Sequence, residues 1–237
     1  MKQPYGLVPG TWAAGRALRS ATDPPDYWED GGALVVYLRQ QGWENIDVGR
    51  MYWDGRLQGS PLGRLLYRRR FEGQWHIGWT VGGENISHMI QGLATRPVDP
   101  VDPADLIMIC HSHGLQPLAK GLADPACPRI KGLLSVASPV RHDMGEIYTL
   151  AAAKVDRWEH CQMGSRDRLR WYGVIGAGRW QDALGGALGL TIGPEQATRR
   201  TQLKEYDHSE FINVVPSSGA LSRWPERLAY LEGADRA

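Results

Sequence analysis

Residues 105–123 read DLIMICHSHGLQPLAKGLA. Four apolar residues run without a break into Cys-His-Ser-His-Gly, and a small helix-like segment follows. An uninterrupted apolar run of this length, stopped by a turn, reads as a strand buried on both faces, which is the habit of parallel sheets. In such sheets ligands bind beyond the carboxyl ends of the strands, and Ser112 falls at that end. A small-x-Ser-x-Gly turn can display a serine hydroxyl as a nucleophile, with helix-start amides facing a developing oxyanion. The same residues also suit a plain strand–loop–helix junction in which Ser112 caps the helix. The five residues alone leave the two readings level.

Outward from this stretch, strand and helix patterns alternate, as expected of an α/β domain with a mostly parallel sheet. A short strand near 5–8 ends in PGTWA. A helix over 30–42 follows, with Asp30 as its N-cap and Gly42 as its stop. A strand is expected at 46–52, and 54–79 reads as irregular, basic and aromatic. Ile86, Met89, Ile90 and Leu93 then share one helical face. After the strand at 106–110, further strands are expected at 132–137, 155–162 and 201–205. Helices are expected near 144–154 and in SRWPERLAYLEG at the end.

The chain has 237 residues, which suits one domain over 1–237 with a sheet covered on both faces. Hydrophobic residues make up 42% and charged residues 22%, with a net charge of +1. No global field recruits nucleic acid or an anionic membrane. The three cysteines, Cys110, Cys127 and Cys161, form no C-x-x-C pair. That argues against a disulfide framework or a zinc site and suits a reducing compartment. No apolar run approaches the length of a transmembrane helix, and MKQPYGLVPG lacks the apolar core of a signal peptide. A cytoplasmic protein is the expectation. Ten tryptophans against two phenylalanines is an unusual balance, and most of the tryptophans are expected in the core or half-buried.

A serine nucleophile needs a base, and the base needs an orienting group. On this scaffold the expected chain order is Ser, acid, His. Asp167 in GSRDRL and His208 in KEYDHSEF each follow a predicted strand, and so does the glycine loop of LVPGTW. There the Thr11 N–H can join that of His113.

Taken in order, LVPGTWA, MYWDG, LIMICHSHG, LLSVASPV, GSRDRL and DHSEF resemble the α/β-hydrolase superfamily. The likeness is greatest to its compact lipase- and esterase-like serine hydrolases with a His-Ser-His-Gly elbow. The resemblance spans nearly the whole chain, although only the elbow is specific by itself. It implies a three-layer α/β/α sandwich, without the leading antiparallel strands of larger members. It also implies Ser112 as nucleophile, Asp167 as orienting acid and His208 as general base and acid. The Thr11 and His113 backbone N–H groups would form the oxyanion hole. No cofactor or metal is implied, and the substrate would be a small-molecule or lipid-like ester. Three positions depart from the pattern: Pro9-Gly10 stands for His-Gly, Cys110 replaces the elbow's first glycine, and Pro117 lies one turn into the elbow helix.

Asp143 is the rival acid, with the context of Asp167 the better match. Asp207 adjoins His208, but neighbours on an extended segment point apart. His111 and His113 are expected to pack and hydrogen-bond around the turn, His88 to lie at the surface or packed on its helix, and His142 and His160 to be structural. An H-x-H metal pair lacks partners to complete it. The basic cluster at 64–71 reads as a solvated turn, and TVGGEN lacks the spacing of a phosphate loop. Segments 54–80 and 169–197 are candidate lids over the site. The main expectation is a serine esterase. Its rivals are an acyltransferase or amidase with the same triad, and a non-catalytic binding module that kept the fold.

Overall fold

A computed structural model of the chain describes residues 2–10, 25–46, 68–141, 144–163, 194–203, 205–207, 209–214 and 219–234, with the backbone alone over 68–77. The elements in chain order are β1 (Gln3–Val8), α1 (Ala33–Gln40), β2 (Trp43–Asn45), α2 (Arg68–Gly92), β3 (Ile107–His111) and α3 (Leu115–Ala123). They are followed by β4 (Ile130–Val136), α4 (Gly145–Ala152), β5 (Val155–Met163), β6 (Arg199–Leu203) and α5 (Trp224–Glu232). The strands form one six-stranded sheet in the order β2-β1-β3-β4-β5-β6, and every pairing is parallel.

Helices cover both faces, so successive residues of a central strand enter different cores. On β3, Met108 and Cys110 pack with α2, α3 and α4 through Ile86, Leu118 and Tyr148. Ile107 and Ile109 pack with α1 and α5 through Leu34, Leu38, Trp224 and Leu231. All five residues of β3 are buried, which accounts for the unbroken apolar run. Trp28, Trp43, Trp79, Trp158 and Trp224 are all core residues, as the aromatic balance suggested.

The helix α2 begins at Arg68, so 68–79 is helical and not irregular as expected, and the basic cluster is no turn from Arg68 onward. Its period is weak because glycines interrupt it. One of them has a packing reason: a Cβ on Gly83 would lie 2.8 Å from Lys120 Cβ and 3.0 Å from the Gly121 nitrogen, so α2 and α3 touch backbone to backbone. TVGGEN lies inside this helix. Three smaller corrections follow. Gly32, with no side-chain cap, precedes α1, while Asp30 pairs with Arg39 at 2.8 Å. The strand expected at 46–52 is Trp43–Asn45, with 47–52 outside the described residues. The last strand is Arg199–Leu203, two residues early. Of the candidate lids, only 68–80 and 194–197 are described. Among the described residues no helix is long and apolar enough to cross a membrane.

Candidate active site

The chain passes from β1 to β2 on one side of the sheet and returns to place β3 on the other side of β1. The crevice where the strand order reverses is the usual ligand position in an open parallel sheet. Val8 and Cys110 pair in register there, so Gly10 and Ser112 each lie two residues beyond the same rung.

Ser112 takes φ +51°. Its predecessor His111 is extended at φ −125°, ψ 141°, and Gly114 is already right-handed at φ −62°, ψ −19°. One residue therefore carries the whole reversal from strand to helix. A left-handed conformation costs an L-residue with a Cβ roughly 1–2 kcal/mol, and such strain collects at functional positions. The geometry contradicts the capping alternative. An N-cap is normally extended and binds amides through its side chain. The residues that precede the 3₁₀ turn and α3 are His111 and Gly114, and neither makes a side-chain cap bond.

The turn is interlocked with the loop after β1. A Cβ on Gly114 would stand 2.5 Å from the Val8 carbonyl oxygen and 2.7 Å from that of Pro9. A Cβ on Gly10 would stand 2.7 Å from Ser112 Cβ and 3.0 Å from the His111 carbonyl oxygen. Real Cβ atoms do not approach so closely, so both positions require glycine. The close approach thus falls at Gly10 and Gly114, and residue 110 need not be glycine. Cys110 instead points into the core, where burial pushes its thiol far above the usual range and leaves it inert. Pro117 is also accommodated, since it falls in the first turn of α3, where amides lack helical partners.

Both flanking histidines pack around the turn. His111 is buried, and its Nδ1 lies 3.2 Å from the Tyr27 hydroxyl, with the rings edge to face at 5.4 Å. The half-buried His113 ring lies 6.1 Å from that of Trp79, over which the Arg141 guanidinium stacks at 5.0 Å. From α3, Gln116 donates to the Pro139 carbonyl at 2.7 Å and so ties the loop after β4 to the helix that follows Ser112.

Of the other sequence-predicted residues, Thr11, Asp143, Asp167 and His208 lie outside the described residues, as does His142. The strands that precede Asp167 and His208 are described: β5 ends at Met163 and β6 at Leu203, on the same sheet edge as Ser112. Asp207 Oδ1 accepts from the Ser209 and Glu210 amides at 2.9 Å each, which holds that carboxylate in a local turn. His88 is exposed on α2.

Sequence reasoning missed a buried serine–histidine pair. Ser135 Oγ lies 2.9 Å from His160 Nδ1 and accepts from Trp158 Nε1 at 2.9 Å. Both residues are sealed in the core at 0% and 1% exposure, and burial pushes the imidazole down to about 4. No substrate reaches this pair, and its role is structural. The signal for it was the single-residue register of β4 and β5, which places Ser135 opposite His160. The three cysteines are free and buried. Among the described residues no group of three or more His, Cys, Asp or Glu side chains is arranged as metal ligands.

No protein-family model matches the chain, and no curated protein matches it by sequence. Among solved structures, an esterase from Pyrococcus furiosus is similar at a TM-score of 0.46 and 12% identity, over 97% of this chain and 80% of that one.

Proposed function

We propose that this protein is a serine hydrolase of the α/β-hydrolase type that cleaves a carboxylic ester. The observation that carries the reading is Ser112 itself: a strained, non-glycine residue at the carboxyl end of β3, beside the topological switch point and locked against Gly10. Asp99, Ala137 and Val214 share the left-handed backbone, so what sets Ser112 apart is that its turn joins the carboxyl end of β3 to a helix against Gly10, the sharp turn a displayed nucleophile requires.

In the proposed reaction Ser112 Oγ attacks the acyl carbon while His208 takes its proton. Asp167 holds the imidazole tautomer and stabilises the imidazolium. The carbonyl oxygen becomes an oxyanion between the Thr11 and His113 amides. Collapse of the intermediate expels the alkoxide, which leaves as the alcohol with the proton returned by His208. Water, deprotonated by the same imidazole, then attacks the acyl-serine and frees the carboxylic acid and Ser112.

Labelling with a fluorophosphonate probe tests the reading. Wild type is expected to form a covalent adduct and Ser112→Ala none, with turnover of p-nitrophenyl esters falling several orders of magnitude in the variant. Folded wild type that resists the probe, or a Ser112→Ala variant that still labels, would overturn it.

A further inference from the structure

The loop after β1 and the turn after β3 must hold a fixed separation if an amide beyond Gly10 is to face a group on Ser112. Glycine contacts alone set only the closest approach of the two loops. The β1–β3 pairing holds them as far as the Val8–Cys110 rung, and beyond it the Tyr27–His111 pair is placed to hold the turn.

Tyr27 belongs to a turn closed by the Glu29 amide on the Asp26 carbonyl at 3.0 Å and by the Asp26 amide on the Glu29 carboxylate at 2.9 Å. Its neighbour Trp28 is buried in the core beneath α1. The phenol therefore stands on a fixed base. From there its hydroxyl reaches His111 Nδ1 at 3.2 Å. His111 is the residue immediately before Ser112. The position that a Gly10 Cβ would occupy lies 3.4 Å from that same Nδ1. Burial raises the Tyr27 hydroxyl well above its ordinary range, and the Gly10 backbone acts on it in the opposite direction. Tyr27, His111, Gly10 and Ser112 thus meet around one point, brought there from three separate segments.

We infer that Tyr27 is a positioning residue for the hydrolytic reaction: its bond to His111 fixes the nucleophile turn against the Gly10 loop. The inference rests on the hydrolase reading. Tyr27 touches no reacting atom in this scheme. It acts by keeping the oxyanion donors and Ser112 at a constant spacing, so its contribution appears in the transition state and not in substrate binding.

The experiment compares wild type, Tyr27→Phe, His111→Phe and the double variant. Tyr27→Phe keeps the ring and its edge contact and removes only the hydroxyl. The expected result is a fall of about tenfold in kcat on p-nitrophenyl butyrate, the size of one lost hydrogen bond, with KM unchanged. Inhibition by a trifluoromethyl ketone, which forms an oxyanion on the serine, is expected to weaken by the same factor. His111→Phe, which keeps a ring but has no Nδ1, should reproduce the loss, and the double variant should lose no more than either single variant because the two groups act as one unit. If Tyr27→Phe folds poorly, His111→Phe supplies the same readout. A lowered Tm with kcat and ketone inhibition unchanged would make the bond merely structural and overturn the inference. So would additive losses in the double variant. Wild type that resists the fluorophosphonate defeats both readings, whereas labelled wild type with unaffected variants defeats this one alone.

Discussion

Replacing Gly10 by alanine is the sharpest test of the interlock between the β1 loop and the turn at Ser112. The added Cβ would sit 2.7 Å from Ser112 Cβ and 3.0 Å from the His111 carbonyl oxygen. Carbon atoms pack at about 3.5–4.0 Å, so the two loops must separate by roughly 0.8 Å or more. Neither obstructing atom is the end of a flexible side chain, so the shift is transmitted to the backbone that carries Ser112. A misplacement of about 1 Å can cost about a hundredfold in rate, while overpacking costs about 1–3 kcal/mol in stability. The expected outcome is a drop of about a hundredfold in kcat/KM on p-nitrophenyl butyrate, with a Tm lowered by about 2–4 °C for each kcal/mol lost. The control is Gly92→Ala at the end of α2, where an added Cβ meets nothing within 4 Å. That variant should keep wild-type activity and equal or raise the Tm, since alanine is the better helix former. A Gly10→Ala enzyme with wild-type kcat/KM would refute the claim that the gap between these loops governs the chemistry.

Two further outcomes follow from conformation and burial. Ser112→Gly removes the proposed nucleophile and also relieves the left-handed strain at φ +51°, so it should raise stability by about 1 kcal/mol relative to Ser112→Ala while both are expected to be inactive. Urea melts of the two variants measure the difference, and equal midpoints would contradict a strained Ser112. His160 is held neutral by burial, with its imidazole lowered from 6.5 to about 4. The unfolded chain takes up a proton between those values that the folded chain refuses. The stability owed to the neutral ring is therefore complete above about pH 6.5 and is lost as the pH falls toward 4, amounting to about 3 kcal/mol. His160→Asn keeps an amide for Ser135 but does not titrate, so the stability gap between it and wild type should narrow over that range. A gap independent of pH would show that the buried imidazole is not the source.

The parts of the fold that were legible in the sequence are those in which one local rule decides. The unbroken burial of β3 marked a parallel strand, and the alternation of strand and helix marked the layers around it. The helix α2 was hidden because RRRFEGQW is basic and aromatic and because Gly82 and Gly83 interrupt its apolar stripe; the reason for Gly83 lies on another helix, at Gly121. The doubts raised by Cys110 and Pro117 came from comparing single positions with a pattern. That at Pro117 dissolves because it falls in the first turn of α3, and that at Cys110 dissolves in three dimensions because glycine is required where two loops collide, at Gly10 and Gly114, about a hundred residues apart in the chain. The Tyr27–His111 bond was unreadable for the same reason, joining residues 84 positions apart. The choice at Ser112 has a different character. A cap and a nucleophile can share residue type, neighbours and place in the chain, so no refinement of the motif separates them. They differ in backbone conformation, extended for a cap and left-handed for a displayed serine at a one-residue turn. That conformation occurs where Gly10 and Gly114 let the β1 loop and the turn touch, so the proposal for Ser112 draws as much on these two glycines as on the serine.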